Sequence, residues 1–539
     1  MGMPRRLRLI APLLIAAVMT FALAPTALAG PKSSGDQVRL QLLAVNDFHG
    51  QLEPYSSTLG GAAILAGYLD ARDAQAKTIN EESWRLGVGD LIGASPPSSG
   101  LLQDEPTLAA FDRMKFMFSA VGNHEFDEGL AELLRLQYGG YSAVTGYWPG
   151  MHHMQYLAAN VVRDDTGETI FPPYAIEYAR GIPVGIIGVV YQGTPSIVTA
   201  AGVKGLTFLP EAETVNKYVD ILKAKGVETI IVLLHDGGAG TVTGGPITGD
   251  IVPVVDAMND EVDVVLTGHS HNKFWGIIDG KLVTGAHSAG RAFADVDLVI
   301  DRATKDVVSK KAEIVAVDRT NTAIKPVRAI AKIVSAAAAK VAPIVNQVIG
   351  TASVALSRTQ NAAGESPLGD LIADAQRWKG ATQIGVTNPG GIRADLAAGT
   401  VTWGALYTIQ PFGNYLVTMK MTGAQLVTAL EQQWLGQPAG GIKMLQISGL
   451  SYNWSLTAAV GSKVVPGSVM VGGAPLDPTT QYTVTANNFL ADGGDNFLVF
   501  KLATDKVIGG SDLDGLVGYI QQLTQPFGAP TGGRVIVVL

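Results

Sequence analysis

Asn123, His124 and Asp127 crowd the end of an apolar run, Phe116 to Val121, in the segment Ala120-Val121-Gly122-Asn123-His124-Glu125-Phe126-Asp127. An amide at Asn123 can lend an oxygen to a divalent cation. His124 is placed to handle a proton, and Asp127, one helical turn on, can hold its imidazole. Four other apolar runs end in the same way. Val38 to Val45 leads to Asp47 and His49, Trp84 to Val88 leads to Asp90, Thr229 to Leu234 leads to His235, and Val262 to Leu266 leads to His269 and His271. Of the eight histidines, five stand in these run-end segments, which random surface placement would not produce.

Asp47, His49, Asp90, Asn123, His235, His269 and His271 form a mixed oxygen and nitrogen donor set. It suits zinc, manganese or a similar first-row ion better than calcium. Seven donors are too many for one tetrahedral shell, so two ions sharing a bridging carboxylate are expected, with Asp90 as the bridge. Singly, each residue has an ordinary explanation: Asp47 can cap a helix, and His235 can bond a backbone carbonyl. As a set they point to metal.

The elements that must position them follow from the pattern between Gln37 and about Val317, where apolar β-rich runs, tight polar loops and helical stretches repeat. This is the signature of an α/β domain. In open α/β sheets ligands collect beyond the carboxyl ends of the strands, so five loops can converge on one crevice. Lys325 to Val348, rich in alanine, lysine and valine, reads equally as a linker helix between domains and as the last core helix of the first.

The second half carries no metal motif. A helix is expected after Gly364-Glu365-Ser366, with Pro367 in its first turn. The segment Thr387-Asn388-Pro389-Gly390-Gly391-Ile392-Arg393 can bring backbone N–H groups close to an anion, and Arg393 can grip it bidentately. Phe412 and Phe489 lie in glycine-rich loops where a phenyl ring has little reason to be buried, and two such rings can sandwich a base.

The N-terminus, with Arg5, Arg6 and Arg8 before an apolar run from Leu9 to about Ala24 and then Ala27-Leu28-Ala29, reads as a secretory signal peptide of residues 1–29, cleaved after Ala29. There is no cysteine, which excludes a disulfide framework and a lipoprotein thioether, and stability must come from core burial. Cleavage takes the 39 basic residues to 36 against 47 acidic ones, a net charge of −11. A general nucleic-acid-binding surface is disfavoured, whereas a local metal cluster and a few arginines still admit phosphate ligands. No later segment is long and apolar enough to span a bilayer, and oligomeric state is not readable.

The motifs DFH, GD, GNHEFD, H and GHSH, in this order and after strands, resemble the calcineurin-like metallophosphoesterases. With the second half they resemble the secreted bacterial 5′-nucleotidases and UDP-sugar hydrolases over essentially the whole mature chain. The resemblance implies an N-terminal four-layer αββα metallophosphoesterase sandwich, residues 37–320, a linker helix, 325–348, and a C-terminal α/β nucleotide-binding domain, 349–539. One ion would be held by Asp47, His49, Asp90 and His271, the other by Asp90, Asn123, His235 and His269. His124 with Asp127 would be the catalytic dyad and not a ligand. Asn388, Gly390, Gly391 and Arg393 would hold phosphate, Phe412 and Phe489 the base, and Asp495 the ribose. Family members often carry another arginine where this chain has Gly364, and Arg358 lies near enough to replace it. The implied reaction is release of phosphate from nucleoside 5′-monophosphates, and of di- or triphosphates as an extension. A cyclic-nucleotide or nucleic-acid phosphodiester, a UDP-sugar pyrophosphate, or a catalytically silent nucleotide-binding protein stay open beside it.

Overall fold

The computed structural model describes residues 36–437 and 441–539. The expected signal segment, 1–29, lies outside the described residues.

Two six-stranded sheets build the first lobe. One has the order Val307–Ala316, Ala292–Asp301, Gln37–Val45, Glu82–Val88, Phe118–Ala120, Gln155–Leu157, and its last four strands are parallel. The other has the order Lys273–Ile278, Lys281–Ala286, Val264–Thr267, Thr229–His235, Ile182–Val190, Tyr174–Ala179, with four parallel strands at its centre. Their apolar runs do not alternate with polar residues because both faces are covered. Leu40, Leu42 and Ala44 meet Ile231, Leu233 and Leu266 between the sheets. Leu43 and Val45 face outward under the helices Ala62–Thr78 and Glu105–Arg113. Ile230, Val232 and Leu234 face the helices Glu211–Ala224 and Ile251–Asp256. The result is helix, sheet, sheet, helix, and every parallel strand that ends in a candidate ligand ends on the same side.

The helix between the halves runs Arg328–Val345. Ile330, Ala337 and Val341 are buried in the first lobe's outer core, and the helix also touches the short helix Trp403–Ile409 of the second half, so it packs on both.

The second lobe is a mixed five-stranded sheet in the order Gln446–Ser448, Ile384–Thr387, Gln481–Asn487, Tyr415–Thr422, Thr504–Ser511. The helices Pro367–Gly380 and Asp512–Gln522 pack against each other over one face through Leu371, Ile372, Leu516 and Ile520. Ser366 starts the first of these: its hydroxyl accepts from the Gly369 amide at 3.1 Å, with Pro367 next in line. The chain ends with Val535–Val538 paired parallel to Leu450–Ser455. Among the described residues no helix is long and apolar enough to cross a membrane.

Candidate metal centre and nucleoside cleft

The five strand-end loops meet. Asp47, His49 and His271 bring donor atoms to one point, Asp90, His235 and His269 to a second, and Asp90 with His49 and His124 to a third between them. Asp47, Asp90 and His235 are buried to 1% exposure or less. Delivering side chains from such abrupt turns requires unusual backbone: Asp47, His49, Asp90, His269 and His271 all adopt positive φ, between 48° and 65°. Aspartate and histidine tolerate that region better than bulkier residues, yet the cost is real and is held in place by the surrounding fold. Gly122 serves a different need. A Cβ there would stand 2.2 Å from Asp90 Oδ1, so only glycine lets the Asn123 loop lie against the Asp90 carboxylate.

Hydrogen bonds fix which ring nitrogen each histidine presents. His235 Nδ1 donates to the Val88 carbonyl at 2.7 Å. Its Nε2 is fully buried 3.1 Å from Asp90 Oδ2 and makes no hydrogen bond. His49 Nδ1 donates to the Gly93 carbonyl at 3.0 Å, which turns its Nε2 toward His271 Nε2, also at 3.0 Å. An orphaned imidazole nitrogen beside a carboxylate, and two imidazole nitrogens facing one another, are what a cation resolves. His269 Nδ1 lies 2.9 Å from Asn123 Oδ1, and its amide donates to Asp47 Oδ1 at 3.0 Å.

Charge follows the same logic. Burial opposes ionisation of Asp90 and Asp47, but the surrounding histidines outweigh it and hold both carboxyls below the ordinary range, Asp90 well below. Burial keeps His49 and His269 neutral, His269 at about 4, as metal ligands must be. For His235 burial is overcome by Asp90, which lifts its pKa to about 10; a carboxylate that attracts a proton this strongly would equally attract a cation.

His124 stands at the edge of this cluster. Its Nδ1 donates to Asp127 Oδ2 at 2.9 Å, and its amide donates to Asp90 Oδ1 at 2.8 Å. Burial works against its charged form, but Asp127 and Asp90 prevail and raise its pKa. Its ring stacks on Phe412 of the other lobe, with centroids 5.7 Å apart and planes at 20°.

Phe412 opens a cleft between the lobes. Asn123, His124 and Asp127 line it on one side, and Asn388, Gly390, Gly391, Arg393, Phe489 and Asp495 on the other. The Arg393 guanidinium lies 5.8 Å from the Phe412 ring centre; burial lowers its pKa and Arg358 adds to that shift, while Asp90, Asp127 and Asp47 across the gap oppose it. Phe489 belongs to a single helical turn, Asn488–Ala491, rather than to an open loop, because the Asn487 side chain caps it by accepting from the Leu490 amide at 2.9 Å. Asp495 is buried and takes a hydrogen bond from Asn388 Nδ2 at 3.0 Å.

Arg358 is exposed and is not among the residues that line the cleft; it donates to the Ile392 carbonyl at 3.0 Å, beside Arg393, and its charge lowers the Arg393 pKa. The arginine absent at Gly364 has a steric explanation: φ there is +94°, and a Cβ would come within 2.6 Å of Met444 Cγ.

Three contributors escaped the sequence reading. Glu125, 3% exposed, accepts from the amides of Asp90 at 2.8 Å, Leu91 at 2.9 Å and Gly122 at 2.6 Å, and so ties the Asp90 and Asn123 loops together. Asn46 donates to Asp47 Oδ2 at 2.5 Å and anchors itself to the His287 carbonyl. Lys443 lines the cleft beside Asp495. Glu125 and Asn46 had a signal, the one inside GNHEFD and the other immediately before DFH, whereas Lys443 had none.

Family comparison agrees with this geometry. The family model for calcineurin-like phosphoesterase matches residues 40–273, and that for the 5′-nucleotidase C-terminal domain matches residues 348–502. Over 555 aligned positions the chain is 34% identical to the cell wall protein Lmo0130 of Listeria monocytogenes, covering 94% of this chain and 70% of that one. The chain belongs to the calcineurin-like phosphoesterases that carry a 5′-nucleotidase C-terminal domain. Within them it is 36% identical over 512 positions to the endonuclease YhcR of Bacillus subtilis, which covers 93% of this chain; the chain spans only 41% of that relative's length. A 5′-nucleotidase precursor from Thermus thermophilus superposes with a TM-score of 0.76 at 28% identity, over 93% of this chain and 99% of that one.

Proposed function

We propose that this phosphoesterase releases phosphate from nucleoside 5′-monophosphates, with two divalent cations in the strand-end loops and the nucleoside held by the second lobe. Asp47, His49, Asp90 and His271 would hold one cation, and Asp90, Asn123, His235 and His269 the other, with Asp90 common to both sets. The observation that carries the reading is the juxtaposition across one cleft of this donor cluster with Arg393, Phe412, Phe489 and Asp495. Zinc or manganese fits the mixed donors best. When bound, such ions acidify water and neutralise phosphoryl oxygens.

The chain's own groups do the rest. Arg393, with the Gly390 and Gly391 backbone, orients the phosphate, and Phe412 and Phe489 sandwich the base. Asp495 accepts from the ribose hydroxyls. Asp127 holds the His124 ring with Nδ1–H toward itself, which leaves Nε2 to deliver a proton to the departing 5′-oxygen. Arg358 supports Arg393 from outside the cleft. The signal-peptide pattern in the sequence of residues 1–29 supports secretion, and the substrate would then be met outside the cytoplasm.

Phosphate release from 5′-AMP, with and without a chelator, tests the reaction. Release that chelation abolishes and added zinc or manganese restores is the expected result. Preferential cleavage of 2′,3′-cyclic AMP or a UDP-sugar moves the assignment to a diesterase or pyrophosphatase, and silence on all three removes the catalytic reading.

A further inference from the structure

Lys443 lies where two hollows join. Beside the nucleoside cleft a second hollow is lined by Asp236, Gly238, Asp250 and Asn272, and Ile197, His269, Lys443 and Asp495 line both. The Lys443 ammonium is 3.4 Å from Asp495 Oδ1, while Asp495 Oδ2 accepts from Asn388 Nδ2, whose Oδ1 in turn accepts from Asn487 Nδ2 at 3.1 Å. Asp495 is thus fixed by a chain of amides, whereas Lys443 reaches it on a long stem that is 35% exposed.

An aspartate alone at this end would accept from a ribose diol and repel any ribose already bearing an anion. A cation at the same point reverses that preference, and the adjoining hollow offers the room that a plain diol does not use. We infer that the site takes nucleotides carrying a second phosphate on the ribose 2′ or 3′ oxygen, with Lys443 binding that phosphate at the mouth of the second hollow. The 5′-phosphate stays with Arg393. Asp236 and Asp250 line the second hollow but not the cleft, so a ligand longer than one phosphate group would meet two carboxyl groups there. This inference rests on the nucleoside orientation proposed above.

The test compares 5′-AMP with adenosine 3′,5′-bisphosphate and adenosine 2′,5′-bisphosphate in the wild-type protein and in Lys443→Ala, Lys443→Arg and Asp495→Asn. For one bisphosphate isomer, which identifies the ribose oxygen, wild-type kcat/KM is expected within about tenfold of that for AMP. The bisphosphate-to-AMP ratio then falls at least about tenfold in Lys443→Ala, chiefly through KM, recovers in Lys443→Arg, and rises in Asp495→Asn as a repelling charge is lost. A wild-type ratio below about one hundredth for both isomers, or a ratio that Lys443→Ala leaves unchanged, overturns the inference and leaves Lys443 as a counter-charge for Asp495. Calorimetric binding of the same ligands gives the same ratios without turnover. If AMP is not hydrolysed, the proposed function fails, and the binding ratios still decide whether Lys443 reads a second phosphate.

Discussion

His124 and Asp90 sit 2.8 Å apart, amide to carboxylate, yet the account gives them separable duties. His124→Ala is expected to keep the metal content of the wild type while turnover on AMP falls by about 10²–10⁴-fold, the range for loss of a general acid. Asp90→Ala removes the shared ligand, and elemental analysis should then find the protein depleted of metal. Full turnover in the His124 variant would take that residue out of the mechanism. Phe489→Leu keeps the side chain apolar but withdraws a stacking face. It should raise KM for AMP by about 1–3 kcal/mol, roughly 5- to 150-fold, and leave hydrolysis of ribose 5-phosphate, which has no base, unaltered. Equal losses on both substrates would place Phe489 in the scaffold and not at the base.

At the scale of the element, each loop proposed to bear metal follows a parallel strand, and those of Asp47 and His49, of Asp90, and of His269 and His271 are held by their neighbours at positive φ. Glu125 is the main tie between two of these loops, and burial raises its own carboxyl to about 7. Gly122→Ala presses a methyl group onto Asp90 and should weaken metal retention with little change in the far-ultraviolet circular dichroism, since the strands themselves are untouched. A variant with wild-type metal content would show that the loop can yield. A second element carries a pH signature. Asp512 opens the helix Asp512–Gln522, and burial pushes its carboxyl from 3.8 to about 7. Its Oδ2 accepts from the buried Gln410 Nε2 at 3.3 Å. The folded chain therefore holds a proton that the unfolded chain has already released, so this group's contribution to stability is whole below about pH 4 and is lost as pH rises through about 7. Asp512→Asn removes that dependence: relative to wild type, its Tm should rise between about pH 5 and about pH 8. A constant offset at both values contradicts a raised Asp512 pKa.

In the whole molecule as proposed, one lobe would supply the cation site and the other the nucleoside site; Phe412 of the second lobe stacks on His124 of the first, with Arg393 beside it. Ligation should be felt first in the lobe that owns the donors. Chelation should lower its Tm, since occupancy at a hundredfold excess over Kd is worth about 2.7 kcal/mol per site. Much of this plan could be read from residue order alone, because Asp47, Asp90, Asn123, His235 and His269 each end an apolar run, and parallel strands bring such ends to one side. Glu125 is visible as a member of GNHEFD but its role is not: two of its three partners are backbone amides of a loop 34 and 35 positions earlier, which leave no trace in residue type. Lys443 was hidden for a similar reason, being one lysine in a glycine-rich stretch whose meaning depends on Asp495 lying beside it. Arg358 is a candidate by its place a little upstream of Gly364, but its guanidinium donates to the Ile392 carbonyl beside Arg393 and is not part of the cleft lining.

A single titration addresses the central claim. Chelated protein is given manganese or zinc in increments while bound metal and phosphate release from AMP are followed together. The account predicts that binding saturates at two ions per chain and that release appears as the second is taken up. Saturation at one ion, or two bound ions with AMP left intact, would contradict it.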